Sequence, residues 1–346
     1  MVGRFAIGRK PGDRSAGRPP VPWAAMPRDR NFVTGTLAAI IAATLFGTLG
    51  PLARFAAQVG VEGVAFTSWR ATLGVTFLVI LIVARRGVGA SLNAIRSLDA
   101  RGRAALAIAA LMGLLLNAAV FTAFERIPIA LALMLFYTYP AGVVVVDAAL
   151  GRETITPTRL LALLLSTTGV VLVLAGGMTG NGGAPIDPVG VLLGLVAAAA
   201  QVVFITISRN GYRSVPTETA TLVIIGTSMV GGALLAVAVG QGGSLVAPLR
   251  SLAPWPAVLF AGIAAAGLSS LLFLTAIRQI GGTRTGILML FEPVTGVILA
   301  ALLLQEPLAP VQVVGAALVL AGALVLQIRS APEREALVEA GAGPVV

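Results

Sequence analysis

Once the charges at the run ends and in the loops are assigned to the two membrane faces, three charged residues remain within the membrane-spanning runs of this chain: Arg70, Asp147 and Glu292. An ionised side chain at the centre of a bilayer costs roughly 2.5–3.5 kcal/mol on insertion scales, so each needs a reason to be there. Glu292 can exchange a proton or bind a cationic amine of a substrate. It can equally be a protonated or paired carboxyl that locks helices together. Its neighbour Pro293 favours the first role, because a proline frees a backbone carbonyl and bends the helix. Arg70 can bind a substrate carboxylate, pair with a carboxyl of the chain, or snorkel toward the headgroups. Asp147 reads as ordinary placement near a membrane interface or as a proton-coupling group. Depth in the membrane allows Arg70 to meet Glu292, although spacing alone does not bring their helices together.

Neutral polar groups extend the set. Asn117 and Gln201 are amides at membrane depth, where they must bond another helix or face a wet cavity. Tyr137 and Tyr139, beside Pro140, lie mid-run rather than at an interface, which suits the lining of a cavity. Phe46 and Trp69 read as packing. Glu153 and Glu306 each precede a proline-started run (Pro157, Pro310), where a carboxylate caps and charge-stabilises a helix N-terminus. Gly190 and Gly194 form a GxxxG that permits close helix packing.

The composition removes most other chemistry. The chain has no Cys and no His, so thiolate and imidazole metal sites, cysteine nucleophiles and His-dependent triads are excluded. An enzyme would need an aspartyl dyad or a serine–lysine pair, and the sole lysine is Lys10 in the N-terminal tail. No Walker A sequence is present. No cofactor and no metal are expected.

The elements that must position these residues are membrane helices. Of the 346 residues 57% are hydrophobic and 11% charged, against about 25% charged in soluble domains. The mean hydropathy of +0.96 extends over the whole length. Runs long enough for a helix to cross the hydrocarbon core fall at 35–57, 64–84, 104–124, 128–150, 159–178, 187–208, 217–239, 255–277, 283–304 and 308–328. They lack period-2 alternation, so the fold class is all-α and polytopic. Residues 1–34 read as a disordered basic tail, within which Met26 is an alternative start, and 329–346 as a C-terminal tail.

The charge pattern supports ten spans. With both tails and the even-numbered loops in the cytoplasm, twenty of the 24 Lys/Arg lie on that side; only Arg54, Arg126 and Arg250 lie outside and Arg70 lies within a span. The net charge of +10 therefore records topology, not a nucleic-acid partner. Both termini are expected in the cytoplasm, and the membrane is expected to be the cell (inner) membrane.

A shift of 153 residues superposes Pro140 on Pro293, Glu153 on Glu306, Pro157 on Pro310 and Gly169 on Gly322, and places Asn117 on Ser270. The repeat unit is five spans, 35–178 and 187–328, joined by a Gly-rich linker at 179–186. An odd unit inverts the second copy, which predicts two inverted five-helix repeats and alternating access around a central site.

These marks resemble the EamA-type carriers of the drug/metabolite transporter superfamily. The text that carries the resemblance is Tyr139-Pro140 through Gly151-Arg152-Glu153 and Phe291-Glu292-Pro293 through Leu304-Gln305-Glu306, with Phe46-Gly47 and Trp69-Arg70 in support. Two departures stand out: Leu304-Gln305 replaces the family's Leu-Gly, and Arg152 is inserted before Glu153. The resemblance implies a carrier that exports or exchanges a small organic metabolite or drug. Its substrate or coupling residues would be Glu292, Arg70, Tyr137, Tyr139, Asn117 and Gln201, with protons as a candidate coupling ion. The alternatives are a flippase for lipid or lipid-linked substrates and a non-transporting sensor or assembly protein. Oligomeric state is open.

Overall fold

The computed structural model describes residues 30–328 except 62, 86, 128, 153, 177–186 and 305–308. The expected N- and C-terminal tails, the 179–186 linker and the capping roles of Glu153 and Glu306 fall outside the described residues. Each of the ten apolar runs is helical where described. Six helical rods are long and apolar enough to cross a membrane: Asn31–Gln58, Gly63–Arg85, Ala100–Ala123, Pro188–Ser208, Thr217–Ala238 and Trp255–Ile280.

In the first half the order is α1 (Arg30–Gly47), α2 (Leu49–Gln58), α3 (Gly63–Arg85), α4 (Val88–Arg96), α5 (Ala100–Arg126), α6 (Ile129–Phe136), α7 (Tyr139–Ala149) and α8 (Pro157–Gly176). The second half continues with α9 (Pro188–Ser208), α10 (Thr217–Ala238), α11 (Gly242–Arg250), α12 (Trp255–Gly262), a π-helical stretch (Ile263–Leu268), α13 (Ser269–Ile280), α14 (Gly282–Met289), α15 (Phe291–Leu304) and α16 (Pro310–Ile328).

Three of the expected spans are interrupted near their middles, and each interruption precedes a proline. The α1/α2 break at Thr48 precedes Pro51, the α6/α7 break precedes Pro140, and the α14/α15 break at Leu290 precedes Pro293. A proline has no N–H for the carbonyl four residues back, and its ring crowds that carbonyl. The freed carbonyls are those of Gly47, Phe136 and Met289. At each break the backbone tightens to a three-residue bond: Thr48 N–H to Leu45 O at 3.2 Å, Thr138 N–H to Leu135 O at 3.3 Å and Leu290 N–H to Ile287 O at 3.2 Å.

The strongest packing joins one half to the other. Helix α1 packs on α13, α3 on α10, α5 on α9, and α8 on α16. Exchanging the halves maps this list onto itself, since the α1/α13 pair becomes the α9/α5 pair. Small residues set the separations. A Cβ at Gly169 would lie 2.5 Å from the Gly315 carbonyl, and one at Gly322 would collide with the Ser166 hydroxyl. Gly190 and Gly194 abut Ile127 and Leu135, the close approach their GxxxG spacing predicts.

Many large apolar side chains, such as Ile80, Leu164, Leu234 and Leu302, remain exposed on the bundle's flanks. An apolar exterior around a polar-containing interior is the pattern of a protein solvated by lipid. The interior holds Phe66, Tyr137, Tyr139, Phe204 and Phe273.

Candidate functional site

Each break carries aromatic residues within two positions of its freed carbonyl. Phe136, Tyr137 and Tyr139 cluster at the α6/α7 break, with ring centroids 5.1–6.3 Å apart. Phe46, just before the α1 break, meets Phe273 edge-on at 6.2 Å, and Phe273 stacks on Phe204 at 6.1 Å. These rings, from helices of both halves, lie in one buried apolar cluster, the aromatic tier.

Glu292 enters this tier as the second residue of α15. It is half-buried, and Tyr137 hydrogen-bonds it, the phenol donating to the carboxylate. Glu292 and Arg70 are near enough for their charges to interact. Arg70 is 7% exposed and therefore does not snorkel to a membrane surface. Its Nη2 donates to Asn117 Oδ1 at 2.5 Å, and the guanidinium lies 5.7 Å from the Phe121 ring centre. Asn117 in turn donates from Nδ2 to the Gly113 carbonyl at 2.7 Å. That bond fixes the amide so that its oxygen faces Arg70.

Gly47 makes the approach of α1 to α15 possible. A Cβ there would lie 2.6 Å from the Glu292 carbonyl oxygen and 2.8 Å from Thr295 Cβ. Only a residue without a side chain lets α1 touch the backbone that carries Glu292.

Five of the six expected residues, Arg70, Asn117, Tyr137, Tyr139 and Glu292, meet around this tier. Gln201 is buried on α9 but takes no part in the hydrogen-bonded group among the described residues. Asp147 is 1% exposed and lies near the end of α7, facing Arg152 and Arg209. Trp69 packs on Trp255 at 5.8 Å, and its Nε1 donates to the Leu245 carbonyl at 2.9 Å. Phe121 is not singled out by its type, but its i, i+4 spacing puts it with Gly113 and Asn117 on one face of α5.

Among the described residues no group of acidic side chains is arranged to hold a metal ion. The arrangement offers a cation, a carboxylate, two phenols and an amide set among aromatic rings. Such a set can bind and release a small polar solute, or pass a proton, without covalent chemistry.

No curated protein matches the chain. Among solved structures, one described only as "Crystal structure of protein" is 23% identical. It covers 85% of this chain and 96% of its own with a TM-score of 0.68, which shows a shared fold. The EamA-like transporter family matches residues 33–175 and again 188–328, one match on each half. Matched twice over most of its length and built as an apolar helical bundle, the chain is a multi-pass membrane protein that belongs to the EamA-like transporter family.

Proposed function

We propose that the protein is a secondary carrier that exports or exchanges a small organic metabolite by alternating access. Its substrate would sit at the aromatic tier between Arg70 and Glu292. One observation carries this reading: Arg70 of the first half, held by Asn117, and Glu292 of the second, bonded by Tyr137, lie near enough in the interior for their charges to interact. A charged group shared between halves changes its surroundings whenever the halves move. A solute or proton bound there would be handed from one side to the other.

The exchange of packing partners between halves supports an inverted repeat. The sequence's charge distribution supports cytoplasmic termini in a cell membrane. With no nucleotide-binding motif in the sequence, the energy would come from a solute or proton gradient, and Glu292 is the coupling group.

The test begins with a thermal-shift screen of the purified protein against metabolites, since a ligand of the folded state raises its apparent stability. Flux of a hit is then measured in proteoliposomes at several pH values. Carrier function predicts saturable flux, and proton coupling predicts that Glu292→Gln abolishes its pH dependence. Flux that ignores pH in both wild type and Glu292→Gln removes proton coupling through this residue.

A further inference from the structure

A second buried carboxylate lies away from the aromatic tier. Asp147, near the end of α7, faces Arg209 at the end of α9, Arg152 in the turn after α7, and Thr283 in the first turn of α14. Arg152 and Arg209 each place Nη1 3.7 Å from a different carboxylate oxygen, and the Thr283 hydroxyl donates to Oδ2 at 3.4 Å. Asp147 belongs to the first half, whereas Arg209 and Thr283 belong to the second. The cluster therefore bridges the halves at the end of the bundle where α1 begins. Contacts there also join Thr34 of α1 to Gln279 of α13 at 2.9 Å.

Packing at this end is close. A Cβ at Gly282 would lie 2.7 Å from Ile205 Cγ2 and 3.3 Å from both Asp147 Oδ2 and Val143 Cγ1. The preceding Gly281 has φ +83°, a left-handed conformation that lets α14 start immediately after α13.

The helices that carry the cluster also carry the site. Helix α7 begins at Tyr139 and reaches Asp147 two turns later, about 12 Å along the axis at the α-helical rise. Helix α14 begins beside Asp147 and ends at the break before Glu292. A tilt of either short helix about its proline-marked break moves the cluster and the aromatic tier together.

We propose that Asp147, Arg209, Arg152 and Thr283 form the gate that closes this end of the transport path. They act as positioning residues, and solute crosses this end only when the two halves part at Asp147. The exposures fit the task. Asp147 is 1% exposed, but the Arg209 and Arg152 side chains are 25% and 32% exposed. The arginines can exchange the carboxylate for water when the gate opens, and the carboxylate is wetted by the same opening.

The inference rests on the carrier reading, but its test needs no substrate and is separable from flux. The chain contains no cysteine, so Gly286→Cys in the full-length protein provides a single reporter. Gly286 lies between the cluster and the site. A Cβ there would be 3.7 Å from Tyr139 and Pro140, an ordinary contact. The reporter is labelled with a membrane-impermeant maleimide in sealed vesicles of each orientation. Adding Asp147→Asn raises the labelling rate about two- to fivefold, from one face only, since an ion pair with partly exposed partners holds the closed state by roughly that factor. Arg209→Gln gives a smaller rise on the same face, and Asp147→Glu returns labelling toward background. Labelling that does not change in either variant overturns the gate, as does a rise equal from both faces. Should Asp147→Asn fail to assemble in the membrane, Arg209→Gln, which alters a partly exposed side chain, decides the question by the same criterion.

Discussion

Two acidic groups in the interior are each opposed by arginine from the other half, and they differ in where the arginine can go. At mid-depth Arg70 is enclosed, held by the Asn117 amide and the Phe121 ring, with Glu292 nearby. At the end where α1 begins, Arg209 and Arg152 face Asp147 and remain partly exposed to solvent. An enclosed guanidinium needs a partner in every state, supplied by the chain or by a solute. A partly exposed one can trade its carboxylate for water at little cost. On the proposed reading, similar residue types serve binding in one place and closure in the other.

The largest effect expected from breaking this contrast is at Arg70. Arg70→Met removes the cation from an enclosed polar group and strands the Asn117 oxygen, at a cost of about 3 kcal/mol. Flux should be lost. Thermal unfolding in detergent checks the stability term. The double variant with Glu292→Gln should regain part of the stability, since the Asn117 oxygen stays unpaired, and none of the flux. Unchanged flux in Arg70→Met would erase the distinction between the two groups.

Gly47→Ala comes next. The new methyl meets the Glu292 carbonyl at 2.6 Å, backbone that cannot rotate away, so α1 and α15 must separate at about 2 kcal/mol. Gly286→Ala, whose Cβ finds ordinary contacts, serves as the control and should unfold close to wild type. Equal losses in the two variants would show that tolerance at the site does not follow the close approach of α1.

The sequence exposes the proline-marked breaks because one missing N–H is a local fact. Pro140 and Pro293 announce that the carbonyls of Phe136 and Met289 lose their helical partners whatever surrounds them. The break at Thr48 has the same cause in Pro51, yet it went unread because 35–57 is uniformly apolar and no repeat mark points to it. The π-helical stretch at Ile263–Leu268 is Ala- and Gly-rich text that an ordinary helix would also use. Its neighbour explains it only in space: Gly74 of α3 approaches the backbone of Gly262 and Gly267 so closely that a Cβ would lie 3.2 Å from each. Arg70 and Glu292 could be singled out by the cost of their charges, but their approach depends on the tertiary fold bringing α3 and α15 toward one interior across more than two hundred residues. Arg209 counted in the sequence only as a loop charge, and the fold makes it the partner of Asp147.

A smaller effect is expected at the partly exposed pair. Arg209→Gln should lower stability by less than about 1 kcal/mol, and Arg152 continues to face Asp147. Raising the ionic strength should narrow the gap between Arg209→Gln and wild type, because salt screens exposed charges. The same salt series on Arg70→Met should show no such narrowing, since its missing partner was enclosed. Parallel salt responses would mean that the two arginines do not differ in solvent access.

The smallest effect belongs to a third pair that lies on the surface. Asp187 caps α9 by accepting from the Val189 N–H at 2.8 Å, and accepts from Arg126 Nη1 at 3.0 Å. The Arg126 hydrogen bond, followed by the one from Val189, holds the Asp187 carboxyl below its ordinary range. A carboxyl lowered in the folded state contributes its stabilisation above the pKa of the unfolded chain. That contribution is lost as the pH falls through the lowered folded value. Acidification below the ordinary carboxylate range should therefore speed hydrogen exchange in the first turn of α9. Asp187→Asn should show much of that fast exchange already at neutral pH, because the amide keeps a capping oxygen but loses the charge that faces Arg126 and the helix dipole. Both changes should stay local, with the midpoint of global unfolding nearly fixed. A large global loss would place Asp187 with the enclosed charges and end the ordering of the three pairs by solvent access.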